Sequence, residues 1–153
     1  KRRGTACQCI RCREVRSQKV DPSTLRLDDL VYMAGGGEEH FISLVTPDDR
    51  LAGFLRLGLP GAGSPNTQLP ELDGAAIIRE VHVYGQALQV GAELQGAAQH
   101  VGLGTRLLQQ ADLIARQRGW QRMAVIAAVG TRRYYLERGF QRGGLYLVKV
   151  LQA

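Results

Sequence analysis

A pair of glycines ahead of a long amphipathic stretch is the feature that most constrains how this 153-residue chain can fold. Gly102 and Gly104 lie in the segment QHVGLGT (residues 99–105), and glycine lets the backbone bend and a ligand approach closely. Apolar residues then recur at helical spacing up to Gly119, which predicts a helix over residues 103–118. The start of such a helix offers unbonded N–H groups and the positive end of its dipole. The segment therefore predicts a glycine turn that suits a phosphate or pyrophosphate.

Three phosphate-binding motifs compete for this turn. The P-loop requires Lys after its last glycine, where Thr105 stands. The dinucleotide-binding motif requires a third glycine, where Leu107 stands. The acetyltransferase motif Gln/Arg-x-x-Gly-x-Gly/Ala fits Gln99, Gly102 and Gly104. A glycine turn before an ordinary surface helix is the alternative, because short glycine motifs are weak signals.

The hydrophobic pattern of the remaining chain predicts an α+β domain around a mixed sheet. The first three predicted strands are closely linked and indicate an antiparallel meander. A loop rich in glycine and proline (residues 60–75) precedes the fourth strand, and such long loops are often lids or binding segments. Further along, Thr131 is a candidate N-cap for a short helix that ends before Gly139, and a hairpin closes the chain. The predicted strands lie over residues 25–34, 40–46, 51–59, 77–84, 123–129, 140–142 and 145–151.

Three cysteines fall within six positions near the start of the chain. Cys7, Cys9 and Cys12 are odd in number and too close together for a disulfide framework, so they indicate a metal, with zinc preferred. Buried or redox-active thiols are the alternative, and an iron–sulfur cluster fits less well because it usually takes four thiolates. The fourth zinc ligand stays open among His40, His82, His100, a water and a residue outside the chain.

Positive charge is concentrated at both ends of the chain. The formal net charge is +6, and residues 1–16 carry six basic side chains against one acidic one. Residues 98–153 carry nine basic side chains against two acidic ones, whereas the middle of the chain is acidic. Because most of these cations are arginines, a nucleic-acid partner is a reasonable hypothesis, with a solvated surface as the alternative.

No apolar run is long enough to span a bilayer, and no signal-peptide pattern follows the first residue. We therefore expect a cytoplasmic protein without a membrane partner. Because the chain does not begin with Met, we also expect a fragment or a processed chain. We divide it into a basic, cysteine-rich linker over residues 1–20 and a folded domain over residues 21–153.

The predicted order β-β-β-loop-β-α-β-α-β-β resembles that of the GNAT acetyltransferase fold, with the glycine turn between the fourth strand and the long helix. Five separated motifs are further similar to the family of Elongator catalytic subunits, which are tRNA-uridine acetyltransferases. The similarity covers the chain from Cys7 to its end, although residues 16–75 match only in a generic way. The matching segments are 7–15 (CQCIRCREV), 79–85 (REVHVYG), 99–104 (QHVGLG), 130–135 (GTRRYY) and 146–149 (YLVK).

The resemblance implies an acetyl-CoA-binding domain that acts on tRNA and carries a zinc-binding linker. In the full-length family, a radical-SAM domain with S-adenosylmethionine and an iron–sulfur cluster precedes this segment, and its Cys-x-x-x-Cys-x-x-Cys motif is absent here. The implied function is tRNA-dependent acetyl transfer or acetyl-CoA hydrolysis in wobble-uridine carboxymethylation. The alternatives are a zinc-stapled RNA-binding module without catalysis and a protein lysine N-acetyltransferase.

The same resemblance assigns roles to residues. Tyr134 and Tyr135 are candidates for the general acid that protonates the departing thiolate, and we favour Tyr135. Glu80 is a candidate base, with an ordinary ion pair to arginine as its alternative. The expected metal ligands are Cys7, Cys9 and Cys12. The residues expected to contact acetyl-CoA are Val81, His82, Val83, Gln99, His100, Val101, Gly102, Leu103, Gly104, Thr105 and Tyr135, mostly through the backbone.

Two further expectations concern the surroundings of this site. The loop over residues 60–75 is expected to cover the coenzyme cleft. The expected tRNA surface consists of the arginines Arg2, Arg3, Arg11, Arg13, Arg16, Arg132 and Arg133.

Overall fold

The computed structural model describes residues 7–16, 18–84 and 98–151. Within these residues, seven strands form one sheet in the order β1-β2-β3-β4-β5-β7-β6. The strands are β1 (Arg26–Ala34), β2 (Gly37–Val45), β3 (Leu51–Leu59), β4 (Ala75–Val83), β5 (Arg122–Val125), β6 (Gln141–Arg142) and β7 (Leu147–Val150). The helices are α1 (Ile10–Arg13), α2 (Ala98–Gln117) and α3 (Arg132–Leu136), with 3₁₀ turns at Pro22–Thr24 and Val129–Thr131.

The predicted meander is confirmed. Strands β1 to β4 pair antiparallel in chain order, and β4 then pairs parallel with β5. The turn between β1 and β2 is tight because Gly35 and Gly36 adopt φ angles of 58° and 80°. Such angles are costly for residues with a β-carbon, so this pair of glycines sets the register of the first hairpin.

Helix α2 covers one face of the central strands and buries the main core. Its apolar side, which includes Leu103, Leu107 and Ala111, packs against the inward residues of β2, β3 and β4. Leu55 and Leu57 on β3 are fully buried in this layer. Burial of each such side chain contributes about 1.5–3 kcal/mol, so the helix–sheet interface is the main source of stability.

Several predicted boundaries are wrong. The predicted strand over residues 123–129 stops at Val125, and Ile126 and Val129 are 61% and 78% exposed. This apolar run leaves the sheet because β5 has neighbours only as far as Val125. Thr131 stands at the N-cap of α3, but its side chain does not cap the helix and instead donates to the carbonyl of Ala128. Residues 10–13, within the segment assigned as a linker, form α1.

The loop over residues 60–75 lies at the end of the sheet away from the predicted coenzyme cleft, so it does not cover that cleft. Gly61 and Gly63 pack against Gly36 in the β1–β2 turn. Farther along the loop, the Glu71 carboxylate accepts a hydrogen bond from the Leu145 N–H at 2.8 Å. The loop thus flanks the start of β4, whereas the predicted cleft lies at its end. Residues 85–97, between β4 and α2, lie outside the described residues.

None of the helices in the described ranges combines the length and the hydropathy needed to cross a bilayer.

Candidate active site

The two parallel strands at the centre of the sheet separate halfway along β4. The first half, from Ala75 to Ile78, pairs with β5, and the second half pairs only with β3 among the described residues. The β3–β4 register shifts at this point, so that Arg79 is an extra residue opposite the Arg56–Leu57 step. Bulges of this kind re-aim backbone groups and are common beside functional sites. The open edge of β4 can therefore pair with an extended ligand, as an added strand would.

The side chains of β4 alternate between the two faces of the sheet. Val83 is opposite Gly53, whose Cα faces the Leu107 side chain of α2, so Val81 and Val83 lie on the helix-covered face. Glu80 and His82 lie on the opposite face. Backbone groups at the open edge are thus flanked by an apolar face on one side and a polar face on the other.

Helix α2 begins beside this opening, and it begins earlier than predicted. Because α2 begins at Ala98, residues 99–105 are helical, and the prediction of a glycine turn there is wrong. The unbonded N–H groups of the helix therefore include those of residues 98–100, while the N–H groups that follow bond to carbonyls one turn earlier. Gly104 is buried near Val83 at the end of β4. The start of the helix dipole and the open strand edge consequently lie at the same end of the fold.

The tyrosine pair on α3 presents two different hydroxyl environments. The Tyr134 hydroxyl is buried, contacts Gly104, and has no hydrogen-bond partner in the described part of the chain. The Tyr135 ring packs edge-on against Phe140 (5.5 Å between centroids), and 7% of the residue is exposed. Burial, and secondarily Tyr134, raises the pKa of Tyr135 above its usual range. Tyr135 therefore stays protonated at neutral pH, as a general acid must.

Arg138 connects the segment after the tyrosine helix to α2, and no motif in the sequence pointed to it. Its guanidinium lies 3.6 Å from the centroid of the Tyr134 ring. It donates to the Tyr134 carbonyl at 2.7 Å and to the Thr105 hydroxyl at 2.9 Å. Arg138 lies in the turn that follows α3, four residues after Tyr134, and its partner on α2 depends on the tertiary fold.

A chain of charged groups lies on the exposed face of β4. The Glu80 carboxylate lies 2.9 Å from His82 Nε2 and 3.5 Å from Arg56 Nη1. Next to it, Arg79 Nε lies 2.7 Å from Glu39, a buried acid on β2. This ion pair crosses β3 at Gly58, where a β-carbon would approach both partners to about 3 Å. The side chain of Arg79 thus holds the bulge in place through Glu39. Glu80 forms the ion pair to arginine that was the alternative to its role as a base.

The three cysteines converge. Cys7, Cys9 and Cys12 place their sulfur atoms within 4.8 Å of one another, and all three are exposed. A hydrogen bond with the Cys12 backbone, and others with the neighbouring thiols, lower the pKa of Cys9 to about 7. Three thiols at this spacing fit three positions of a tetrahedral zinc site. In the described part of the chain, no histidine or carboxylate joins this cluster.

Two of the three histidines proposed as fourth ligands, His40 and His82, lie away from the cysteines. His40 is buried between Asp29 and Glu38, with its ring nitrogens 2.8 Å from each carboxylate. His82 stacks on Phe54 and bonds to Glu80. The side chain of His100 lies outside the described residues, as do those of Gln99 and Val101.

The cysteine segment lies at the end of the sheet where β4 opens. The Val15 N–H donates to the Leu51 carbonyl at 3.1 Å, and Leu51 begins the strand that pairs with the end of β4. Arg13 is paired with Asp49, and Arg133 is paired with Glu137. Within the described ranges, Arg11, Arg16 and Arg132 are exposed and have no ion-pair partner, while Arg2 and Arg3 lie outside these ranges.

The chain is similar to known proteins over nearly its whole length. It is 42% identical to Elongator complex protein 3 of Drosophila melanogaster and 40% identical to the tRNA uridine(34) acetyltransferase of Dehalococcoides mccartyi. These alignments cover 97% and 95% of the chain but only 28% and 32% of the relatives, so the chain spans less than a third of their length. No family model matches the chain.

Solved structures agree with these relatives. The archaeal Elp3 of Methanocaldococcus infernus superimposes with a TM-score of 0.75 at 31% identity, over 95% of this chain and 35% of that one. Nourseothricin acetyltransferase superimposes with a TM-score of 0.55 over 92% of this chain and 91% of its own, and at 14% identity it supports the fold only. The comparisons confirm the predicted GNAT fold and the predicted resemblance to Elongator catalytic subunits. They support an acyltransferase as the class of enzyme.

Proposed function

We propose that this chain is the acetyl-CoA-binding part of a tRNA uridine acetyltransferase. The observation that carries the proposal is the separation of β4 from β5 beside the first turn of α2. A strand edge, a helix start and a tyrosine pair meet there, which are the groups needed to bind and cleave a thioester conjugated to a long pantetheine chain. The names of the relatives supply tRNA uridine as the class of acceptor.

The proposed binding mode uses the backbone. The pantetheine amides pair with the open edge of β4 around Val81, His82 and Val83. The pyrophosphate meets the first turn of α2, where the N–H groups of Gln99 and His100 are unbonded and Val101 follows directly. Gly102, Leu103, Gly104 and Thr105 follow in the next turn, where they shape the wall of the cleft.

The proposed chemistry uses two proton-transfer groups and one backbone group. Attack on the thioester carbonyl places negative charge on its oxygen, and an N–H at the β4 bulge stabilises that charge. The Tyr135 hydroxyl protonates the departing thiolate. Tyr134 is less suitable because its hydroxyl is closed off against Gly104. Glu80, at the exposed face of the same strand, activates the attacking water or substrate.

The cysteine cluster completes the proposed assignment. Cys7, Cys9 and Cys12 bind one zinc ion, which fixes the N-terminal segment near the open end of β4. The unpaired arginines Arg11 and Arg16 lie on the same segment and add positive charge for tRNA phosphates. The remaining two thirds of the relatives' length leave room for a further domain, for which the family implies S-adenosylmethionine and an iron–sulfur cluster. We place the whole enzyme in the cytoplasm with its tRNA.

One assay tests the proposal directly. Acetyl-CoA turnover by the purified chain is measured with tRNA, with a tRNA-sized DNA duplex, and without nucleic acid. We expect turnover that rises with tRNA only. Absence of CoA binding in calorimetry would refute the enzyme assignment, whereas CoA binding with turnover on lysine peptides alone would favour a protein acetyltransferase.

A further inference from the structure

A groove of about 660 Å³ lies between the cysteine segment and the sheet face opposite α2. Its floor is formed by Leu30, Tyr32 and Phe41 of β1 and β2, and Ile10 and Arg11 contribute to its wall. Leu30 and Tyr32 share one face of β1, and Leu30 is opposite Phe41 in the register, so the floor is one continuous apolar surface.

The wall of this groove is fixed to the sheet at three points. The Val15 N–H donates to the Leu51 carbonyl at 3.1 Å. Arg13 Nη2 lies 2.7 Å from the Asp49 carboxylate, and Arg50 Nη1 donates to the Cys12 carbonyl at 3.1 Å. The groove is therefore a built feature of the fold and does not depend on a loosely attached terminus.

The groove combines accessible rings with one unneutralised cation. Tyr32 is 38% exposed and Leu30 is 64% exposed, which is unusual for apolar side chains on one strand face. Asp28 and Arg13, which also line the groove, are neutralised by Arg26 and Asp49. Arg11 has no ion-pair partner in the described part of the chain. The apolar floor suits a planar group, and the unpaired guanidinium of Arg11 in the wall suits an anion attached to that group.

A stack of rings runs from the floor of the groove toward the proposed reaction centre. Phe41 stacks on Phe54 with 5.0 Å between centroids, and Phe54 stacks on His82 at 5.2 Å. His82 in turn bonds to Glu80, the proposed base. Only β3 separates the groove from the exposed face of β4, so a chain that extends from the groove across β3 would reach that face.

We propose that this groove binds an unpaired nucleotide of RNA, with its base on the rings of Tyr32 and Phe41 and its phosphate at Arg11. Bases stack on aromatic side chains in single-stranded RNA recognition, and Arg pairs with the phosphate. This inference rests on the proposed function in taking RNA as the partner, and it adds the place where an unpaired nucleotide is held.

The test uses the chain with a fluorescein-labelled single-stranded RNA of about 12 nucleotides, which is within the usual site size. Tyr32→Ala removes the ring, Tyr32→Phe keeps it, and Met33→Ala is the matched control on the opposite face of the same strand. We expect Tyr32→Ala to weaken RNA binding about ten-fold or more, as for loss of one base–aromatic stack. Tyr32→Phe and Met33→Ala should bind as the original chain does, with all melting temperatures compared by circular dichroism.

Two results would overturn the inference. In the first, Tyr32→Ala and Met33→Ala bind the RNA equally well while both remain folded. In the second, light scattering shows a dimer that Tyr32→Ala disperses without change in RNA affinity, which makes the groove a protein interface. A 4-thiouridine cross-link from the RNA to Tyr32 or Phe41, mapped by mass spectrometry, would support the groove directly.

Failure of the groove is distinguishable from failure of the proposed function. CoA binding is measured by calorimetry on the original chain and on Tyr32→Ala without RNA, and the two should agree. Normal CoA binding together with Tyr32-independent RNA binding overturns only the groove. Tyr32-dependent RNA binding without any CoA binding keeps the groove and refutes the acetyl-CoA assignment.

Discussion

The hydroxyl of Tyr134 lies against the backbone of Gly104, in the space that a β-carbon at position 104 would need. Gly102, two residues earlier, has open space around its Cα. The structure therefore requires glycine at only one of the two positions, although the predicted motif includes both. Gly104 is required by a contact with α3, and Gly102 is not required by any described neighbour.

We expect Gly104→Ala to destabilise the fold by about 1–3 kcal/mol, because the new methyl group overpacks the contact with Tyr134. Gly102→Ala is the matched control, and it should be neutral or stabilise the helix by about 0.5–1 kcal/mol. Tyr134→Phe combined with Gly104→Ala should restore most of the loss, since it removes the overlapping oxygen. Urea unfolding of the three variants and the original chain measures these differences. A double variant as unstable as Gly104→Ala would contradict the contact.

The tyrosine assignment predicts a clear difference in turnover. Tyr135→Phe should lower acetyl-CoA turnover by about 10²-fold or more, because general acid catalysis contributes at least that factor. CoA affinity should stay nearly unchanged. Tyr134→Phe is the matched control on the neighbouring residue and should retain turnover, with unchanged or slightly higher stability, because its buried hydroxyl has no partner among the described residues. The reverse pattern in steady-state kinetics would transfer the role to Tyr134.

The sequence predicted the meander, the long helix and the position of the tyrosine helix, because each depends on local periodicity. It did not predict where β5 ends or where α2 begins. β5 ends at Val125 because β4 and β5 separate there, and this separation depends on tertiary packing that a local sequence pattern does not encode. The start of α2 was misplaced because glycines usually mark turns, whereas Gly104 is accommodated inside the helix by a side chain thirty residues away. Arg138 was missed for the same reason, since its partner Thr105 is distant in sequence.

The cysteine cluster predicts one zinc ion per chain. Cys9→Ser should abolish stoichiometric zinc binding. The control is Ser23→Ala, a substitution at an exposed position away from the cysteines, which should leave zinc binding unchanged. Removal of zinc by a chelator should lower the melting temperature and release the contact between Val15 and Leu51, because α1 and the cysteines lie directly ahead of it. Atomic emission spectrometry measures the stoichiometry. A metal content of zero in protein purified without chelators would exclude the site.

The buried network around His40 predicts a defined pH dependence of stability. Glu38 accepts a hydrogen bond from Arg118 at 2.7 Å and lies 2.8 Å from His40. Arg118 first, and His40 second, hold the pKa of Glu38 below its usual range. A carboxyl group whose pKa is lower in the folded state stabilises the fold above its unfolded pKa, and this contribution is lost as pH falls through the folded pKa.

Glu38→Gln should therefore cost about 1–2 kcal/mol at pH 7, as expected for a hydrogen bond to a charged group. The difference from the original chain should begin to shrink below about pH 4.3, the ordinary pKa of Glu, and vanish at lower pH. Glu137→Gln is the control, because its pair with Arg133 is exposed and surface pairs contribute less than about 1 kcal/mol. Urea unfolding from pH 7 to pH 3 measures both. A Glu38→Gln deficit that persists unchanged at the acidic end would show that the loss comes from packing and not from the ionised carboxylate.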